Sequence, residues 1–212
     1  MKFFLLALTC LCSCQSTPRA TPLSTLAWIP EQAIQLEANA NLLEVETLRF
    51  SSTPTPEHLQ SLQQLPHLRG LEIWDEGCFR APDYAIGRMD DAALIQIAKL
   101  TQLETLAIAG WNTFYTDAGL KPLINMPHLT HLKLNMTPLI TDLAMFEIAK
   151  VPNLEKLDIR YTKITDAGLA YLIAAPKLQS VHYGWTQIQT AHAHRFLKTH
   201  PDSTFLIGFE SP

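Results

Sequence analysis

The stretch Leu154–Pro176, LEKLDIRYTKITDAGLAYLIAAP, decides the fold. It opens with apolar residues at Leu154, Leu157 and Ile159, passes Thr162 and Ile164, and reaches Thr165-Asp166, residue types that start helices. The helix expected there buries Leu169, Leu172 and Ile173 and stops at Pro176. Leu178, Val181 and Tyr183 then begin the same phrase again. A strand–turn–helix unit this short cannot bury both its apolar faces alone, so it must stack on copies of itself.

Working outward, the strand triplet recurs as Val45/Leu48/Phe50, Leu68/Leu71/Ile73, Leu103/Leu106/Ile108 and Leu129/Leu132/Leu134 before this stretch. A weaker last copy uses Phe205 and Ile207, with Asp202 in place of the first leucine. From the first apolar core position of the helix, leucine in four copies and Met145 in the other, to the next strand leucine the step is nine residues: 59→68, 94→103, 120→129, 145→154 and 169→178. The segment between strand and helix cap instead varies, and the copy that follows Trp74 carries a long insertion over 75–89. All insertion therefore falls on one edge of the stack. Insertions confined to one edge mark a binding side rather than a packing side.

The unit L-x-x-L-x-L-x-x-N/C/T followed by a helix resembles the leucine-rich repeat. Thr53, Thr137, Thr162 and Thr186, each eight residues after the first apolar position, together with the ITDAGL phrase, resemble the short Thr-bearing bacterial subclass. The resemblance runs from about Leu43 to Phe209 and implies a right-handed α/β solenoid. A parallel sheet would line its concave side and helices its convex side, with a capping helix at the N-terminus. It also implies a binding module, the usual role of such repeats.

Composition agrees with one globular domain: 212 residues, 47% hydrophobic and 17% charged. The formal charge of −4, with no long run of either sign, lacks the basic excess of a nucleic-acid binder. No apolar stretch reaches the 18 residues that a membrane-spanning helix needs. The N-terminus differs from the rest. Lys2, the apolar run FFLLALTCL and the polar Gln-Ser-Thr-Pro segment read as a secretory signal. Within it Leu11-Cys12-Ser13-Cys14 resembles a bacterial lipobox, which implies that Cys14 carries lipid and begins the mature protein. Gln15 would then direct it to the outer membrane if the cell is Gram-negative. An ordinary secreted protein cleaved further on is the alternative.

These boundaries give a signal peptide at 1–13, a tether at 14–26, an N-terminal cap at 27–42 and repeats over 43–212. In the cap, Pro30 stands well placed to start a helix over Glu31–Ala40. Cys78 is left without an intramolecular partner. The pairs Thr116-Asp117, Thr141-Asp142 and Thr165-Asp166 supply a capping hydroxyl and a first-turn carboxylate; Asp90-Asp91 and Thr55-Pro56 serve the same purpose. A series of aspartates at one repeat position is explained by capping alone.

Two regions are left for function. Consecutive strands lie about 4.8 Å apart, so the 75–89 insertion and the neighbouring loop at 111–115 must be adjacent. Trp74, Phe79, Tyr84, Trp111, Phe114 and Tyr115 are expected to converge there with Arg80, Arg88, Asp75 and Asp83. Aromatics with arginine are the composition of interface hot spots, although the same residues would also serve to fold the insertion down. On the sheet face the outward residues of the later rungs gather His131, Lys133, Lys156, Arg160 and His182 around one acid, Asp158, with Tyr161 and Trp185 at the edge. The expected partner is a protein or peptide, an acidic one matching this patch, bound by a single chain with no cofactor and no metal. No G-x-S-x-G, Gly-rich phosphate loop, H-E-x-x-H or paired C-x-x-C is present. Two rival readings stay open: a hydrolase or transferase using Asp158 with His131 or His182, and a passive spacer.

Overall fold

Alternation sets the first strand. In β1 (Thr47–Phe50), Leu48 and Phe50 turn inward to the core while Thr47 and Arg49 face outward. The computed structural model describes residues 25–29, 33, 41–74, 88–110, 113–189 and, in backbone, 204–206. Over these residues the pattern of β1 returns in β2 (Gly70–Trp74), β3 (Thr105–Ala109), β4 (His131–Lys133), β5 (Lys156–Asp158), β6 (Ser180–His182) and β7 (Thr204–Leu206). They form one parallel seven-stranded sheet in sequence order. The register is constant, pairing Leu48, Leu71, Leu106, Leu132, Leu157, Val181 and Phe205 along one row. The weak last copy is therefore a true rung.

Between strands lie short helices: α1 (Pro56–Ser61), α2 (Asp91–Ile97), α3 (Asp117–Leu120), α4 (Asp142–Ile148) and α5 (Asp166–Leu172). Each begins as the sequence predicts. Thr55, Asp90, Thr116, Thr141 and Thr165 are the N-caps, and each side chain accepts a backbone N–H of the first turn. Leu169 and Leu172 are buried, whereas Ile173 is 44% exposed and caps the end of α5. The helix thus ends at Leu172, four residues before Pro176. One further turn would swing the next strand leucine out of register, and the nine-residue step forbids that.

The first-turn aspartates have a second role that capping does not require. Asp91 accepts from the backbone N–H and hydroxyl of Thr116 in the next repeat, at 2.7 and 2.9 Å. Asp117 grips Thr141 the same way at 2.8 and 2.6 Å, and Asp142 grips Thr165 at 2.8 and 2.7 Å. Asp166 continues the series on the N–H of Gln189 at 2.8 Å. Each carboxylate thus fixes the cap of the following helix and sets the spacing between repeats. The glycine of the TDAGL phrase belongs to this clamp. A Cβ at Gly119 would collide with Oδ1 of Asp91, and one at Gly168 with Oδ1 of Asp142. In α4, Ala144 takes the slot and Asp117 still reaches Thr141, so the clamp tolerates one methyl where the neighbours yield.

Threonine closes the strand-to-loop turn. The hydroxyls of Thr137, Thr162 and Thr186 donate to the carbonyls of Leu134, Ile159 and Tyr183, at 2.6, 2.7 and 2.7 Å. This satisfies a carbonyl that would otherwise be stranded beside the core. At the N-terminal end, Leu26 and Ile29 are fully buried and Trp28 stacks on Phe50 and His58. Leu26 therefore belongs to the core rather than to the tether. The helix expected over Glu31–Ala40 lies outside the described residues, apart from Ala33, which bridges Phe50.

Candidate functional site

The outward columns of the sheet follow directly from the register. One runs Thr47, Gly70, Thr105, His131, Lys156, Ser180, and the next runs Arg49, Glu72, Ala107, Lys133, Asp158, His182. The early rungs carry their charge as a pair, with Arg49 Nε 3.0 Å from Glu72. The middle rung offers Thr105 and Ala107. Rungs four to six hold the cations.

Their single acid is not available for chemistry. Asp158 is 6% exposed, and Arg160 holds both of its oxygens. Nε of Arg160 donates to Oδ1 at 3.0 Å and to Oδ2 at 3.2 Å, Nη2 donates to Oδ2 at 2.7 Å, and the Arg160 backbone N–H donates to Oδ1 at 3.1 Å. A fork of this kind is a structural ion pair. It removes the hydrolase reading based on Asp158, because a general acid or base must offer an oxygen to substrate. It also cancels the charge of Arg160, so Lys133 and Lys156 define the sign of the patch.

His131 lies in the same column as Lys156. Burial, then the Lys156 and Lys133 cations, hold its imidazole below the ordinary value, with Glu155 and Glu104 acting partly against them. Its Nδ1 lies 2.8 Å from the hydroxyl of Thr130, whose hydrogen goes to the Glu104 carbonyl at 3.0 Å. Nδ1 is therefore the donor, which leaves Nε2 as the acceptor of the neutral ring. His182 stands two rungs away, about 10 Å at the strand spacing. Among the described residues no three His, Cys, Asp or Glu side chains converge as a metal site, and no helix is long and apolar enough to cross a membrane.

Beside these columns runs a line of residues in the left-handed region. Gly110 has φ 130°, and Met136, Tyr161 and Trp185 have φ 61°, 57° and 56°. All four occupy one repeat position. The cause lies in the backbone. The turn aims the N–H of Gly110, Met136 and Tyr161 at the carbonyls of Asn135, Arg160 and Gly184 on the next rung, at 3.4, 3.1 and 3.0 Å. Glycine accepts this conformation freely, whereas each L-residue loses about 1–2 kcal/mol. The rings of Tyr161 and Trp185 are parallel, 4.3 Å between centroids, and Trp185 is 50% exposed. Tyr161 and Trp185 thus stand together as the sequence expects. Met136 joins them unforeseen, although Gly110 in the same slot was a readable sign that the position is left-handed.

The loop edge divides. Trp74 is half-buried at the end of β2. Phe114 is exposed, with the guanidinium of Arg88 3.7 Å above its ring, and Met89 bridges Thr113, so the two loops are adjacent at their ends. Tyr115 is not on the surface: it is 1% exposed, and its hydroxyl donates to the Ile108 carbonyl at 3.2 Å. That carbonyl is equivalent to the ones served by Thr137, Thr162 and Thr186, and here Trp111 occupies the threonine slot. Tyr115 reaches back to replace the missing hydroxyl. Burial pushes its pKa far above the ordinary 10.0, with a hydrogen bond to Thr137 acting against the rise. Phe79, Arg80, Tyr84, Trp111 and Cys14 lie outside the described residues.

A second surface escaped the sequence. Phe146 and Tyr171 meet edge to face at 5.5 Å between α4 and α5, and the Lys150 ammonium sits 3.8 Å over Phe146. With Ala149, Pro152, Ala170, Ala174 and Pro176 they line an open groove of about 610 Å³ on the helical side.

Comparisons with known proteins bear on the fold. A family described as leucine-rich repeat matches residues 152–172, overlapping most of the stretch quoted at the outset. Antagonist of mitotic exit network protein 1 of Saccharomyces cerevisiae is 30% identical over 175 residues, 70% of this chain. The chain spans only 30% of that relative's length. Among solved structures, an internalin of Listeria monocytogenes has a TM-score of 0.47 at 23% identity, covering 69% of this chain and 43% of its own. Internalin C2 of the same species has a TM-score of 0.42 at 18% identity, covering 77% and 82%. The matched repeat, carried in one register through seven parallel strands with short helices between them, makes the fold an α/β leucine-rich-repeat solenoid.

Proposed function

We propose that the protein is a lipid-anchored module of the cell envelope that binds another protein or peptide through its sheet face and strand-to-helix edge. One observation carries the binding half of this reading. The later rungs set two lysines on the outward side of the strands that lead to the left-handed Met136 and Tyr161, and Trp185, stacked on Tyr161, stays half exposed at a conformational cost. Strain kept at an exposed side chain points to use of that side chain. Helices about 10 Å wide opposite strands 4.8 Å apart curve such a stack, so this face is the concave one. No catalytic role is assigned, since the one acid of the patch is consumed by Arg160. Fold alone would not select binding over other roles. The anchor rests on the Leu11–Cys14 phrase.

The test uses the detergent-solubilised full chain as bait in envelope extract. Wild type should retain a partner that the Trp111→Ala/Trp185→Ala double variant loses. Equal recovery by both proteins contradicts the assignment of the edge. In parallel, Cys14→Ser should leave the chain unprocessed or free of the membrane, and unchanged membrane fractionation would count against the anchor.

A further inference from the structure

The sheet face carries more than a general capacity to bind. Asp158 and Arg160 neutralise each other, leaving Lys133 on β4 and Lys156 on β5, neither of which forms an ion pair among the described residues. Both lie on the outward side of adjacent rungs, with His131 in the same column as Lys156. Past the ends of β4, β5 and β6 stand Met136, Tyr161 and Trp185, one per rung, in a conformation that glycine would adopt more cheaply. The backbone hydrogen bonds between rungs explain the conformation but not the choice of large side chains. Packing explains the choice only in part, because half of Trp185 remains in solvent.

Two features select the ligand. The first is sign: a positive patch on a chain of net charge −4 suits carboxylates. The second is extent. Met136 to Trp185 covers two rung steps, about 10 Å. That is the length of about three residues of extended chain, whereas a single phosphate or headgroup would span one rung. We infer that Lys133 and Lys156, with the Met136–Tyr161–Trp185 ridge, form one recognition surface for an extended acidic peptide segment bearing an aromatic side chain. Its carboxylates meet the two ammonium groups while its ring packs on the ridge. The inference rests on the binding reading given above and narrows it to a chemical class.

The experiment pans a phage-displayed library of random peptides, about twelve residues long and so longer than the ridge, on the detergent-solubilised full chain. Selection is repeated on Lys133→Glu/Lys156→Glu, on Trp185→Gly and on Trp111→Ala/Trp185→Ala. Selected peptides should be enriched in Asp or Glu together with an aromatic residue. Their affinity should fall at least about tenfold on the charge-reversed variant and about tenfold on Trp185→Gly. Because glycine suits φ 56°, the Trp185→Gly protein should keep its Tm within about 3 °C of wild type, so lost binding is not lost folding.

A second readout is His131, which faces Lys156, Lys133, Glu155 and Glu104. Bound carboxylates should raise its titration midpoint, read from the imidazole C–H resonances. Peptides without acidic bias, or acidic peptides held equally by Lys133→Glu/Lys156→Glu, overturn the inference. If such peptides are still lost on Trp111→Ala/Trp185→Ala, the broader binding reading stands. Failure to select any peptide, combined with equal partner recovery in the extract experiment, overturns both. Lysine-dependent binding of phosphatidylglycerol vesicles with no peptide selected assigns the patch to a membrane and also overturns the inference.

Discussion

Replacing Arg160 by alanine is expected to lower the stability of the fold by about 3 kcal/mol, because it strands a buried carboxylate. Asp158 is nearly inaccessible, and three of the four hydrogen bonds it accepts here come from the Arg160 guanidinium. The arginine side chain keeps some contact with solvent, which places the figure at the lower end for a buried pair. Urea denaturation of the full chain measures it as a shift in midpoint at constant slope. Adding Asp158→Asn to that variant should recover about half of the loss, because the remaining group is neutral. A loss below about 0.5 kcal/mol would mean that the pair behaves as a surface bridge. Asp158 would then return as a candidate for chemistry.

Asp142→Ala should cost about 2–3 kcal/mol. It removes two charge-assisted hydrogen bonds to Thr165 and a carboxylate from the first turn of α4. The loss is shared between repeats rather than confined to one helix. A double-mutant cycle with Thr165→Ala should therefore show a coupling of at least about 1 kcal/mol. Strict additivity would make Asp142 a dipole partner of its own helix and nothing more. Asp142→Asn keeps one acceptor oxygen and should fall between the two.

These two residues show what can be read from the chain and what cannot. The leucine triplets, the nine-residue step and the Thr-Asp caps specify strand, helix and register, because each is a local pattern with a local cause. Ile173 misleads because helical periodicity continues past the point where the helix must end to reach Leu178. The clamp from Asp142 to Thr165 is hidden for a different reason. One carboxylate serves its own helix and the next, and capping already accounts for the residue type. Gly119 and Gly168 carried the missing signal, since glycine inside a helix needs a close neighbour to justify it.

For the candidate site, the positions of the residues were legible more than their states. His131, Lys133, Lys156, Tyr161, His182 and Trp185 stand on the face and edge where strand alternation places them. Asp158 and Tyr115 do not serve as surface groups, and the accounting of polar atoms explains both. A carboxylate two residues before an arginine at the end of a strand can be forked by it. A repeat with tryptophan in the threonine slot leaves a carbonyl for another hydroxyl to find. The ridge position depends on a backbone angle that only Gly110 hinted at. The open groove at Phe146 and Tyr171 is a second surface, on the helical side, that the repeat pattern did not reveal.

The measurement that separates the two faces most directly is site-specific photocross-linking in envelope preparations, with benzoylphenylalanine placed at position 185 or at position 143. Trp185 stands on the ridge, and Leu143, 59% exposed, lies on the first turn of α4. A cross-linked adduct to a partner from position 185, with none from position 143, is the predicted result. An adduct from position 143 alone would move the binding surface to the helices and contradict the account.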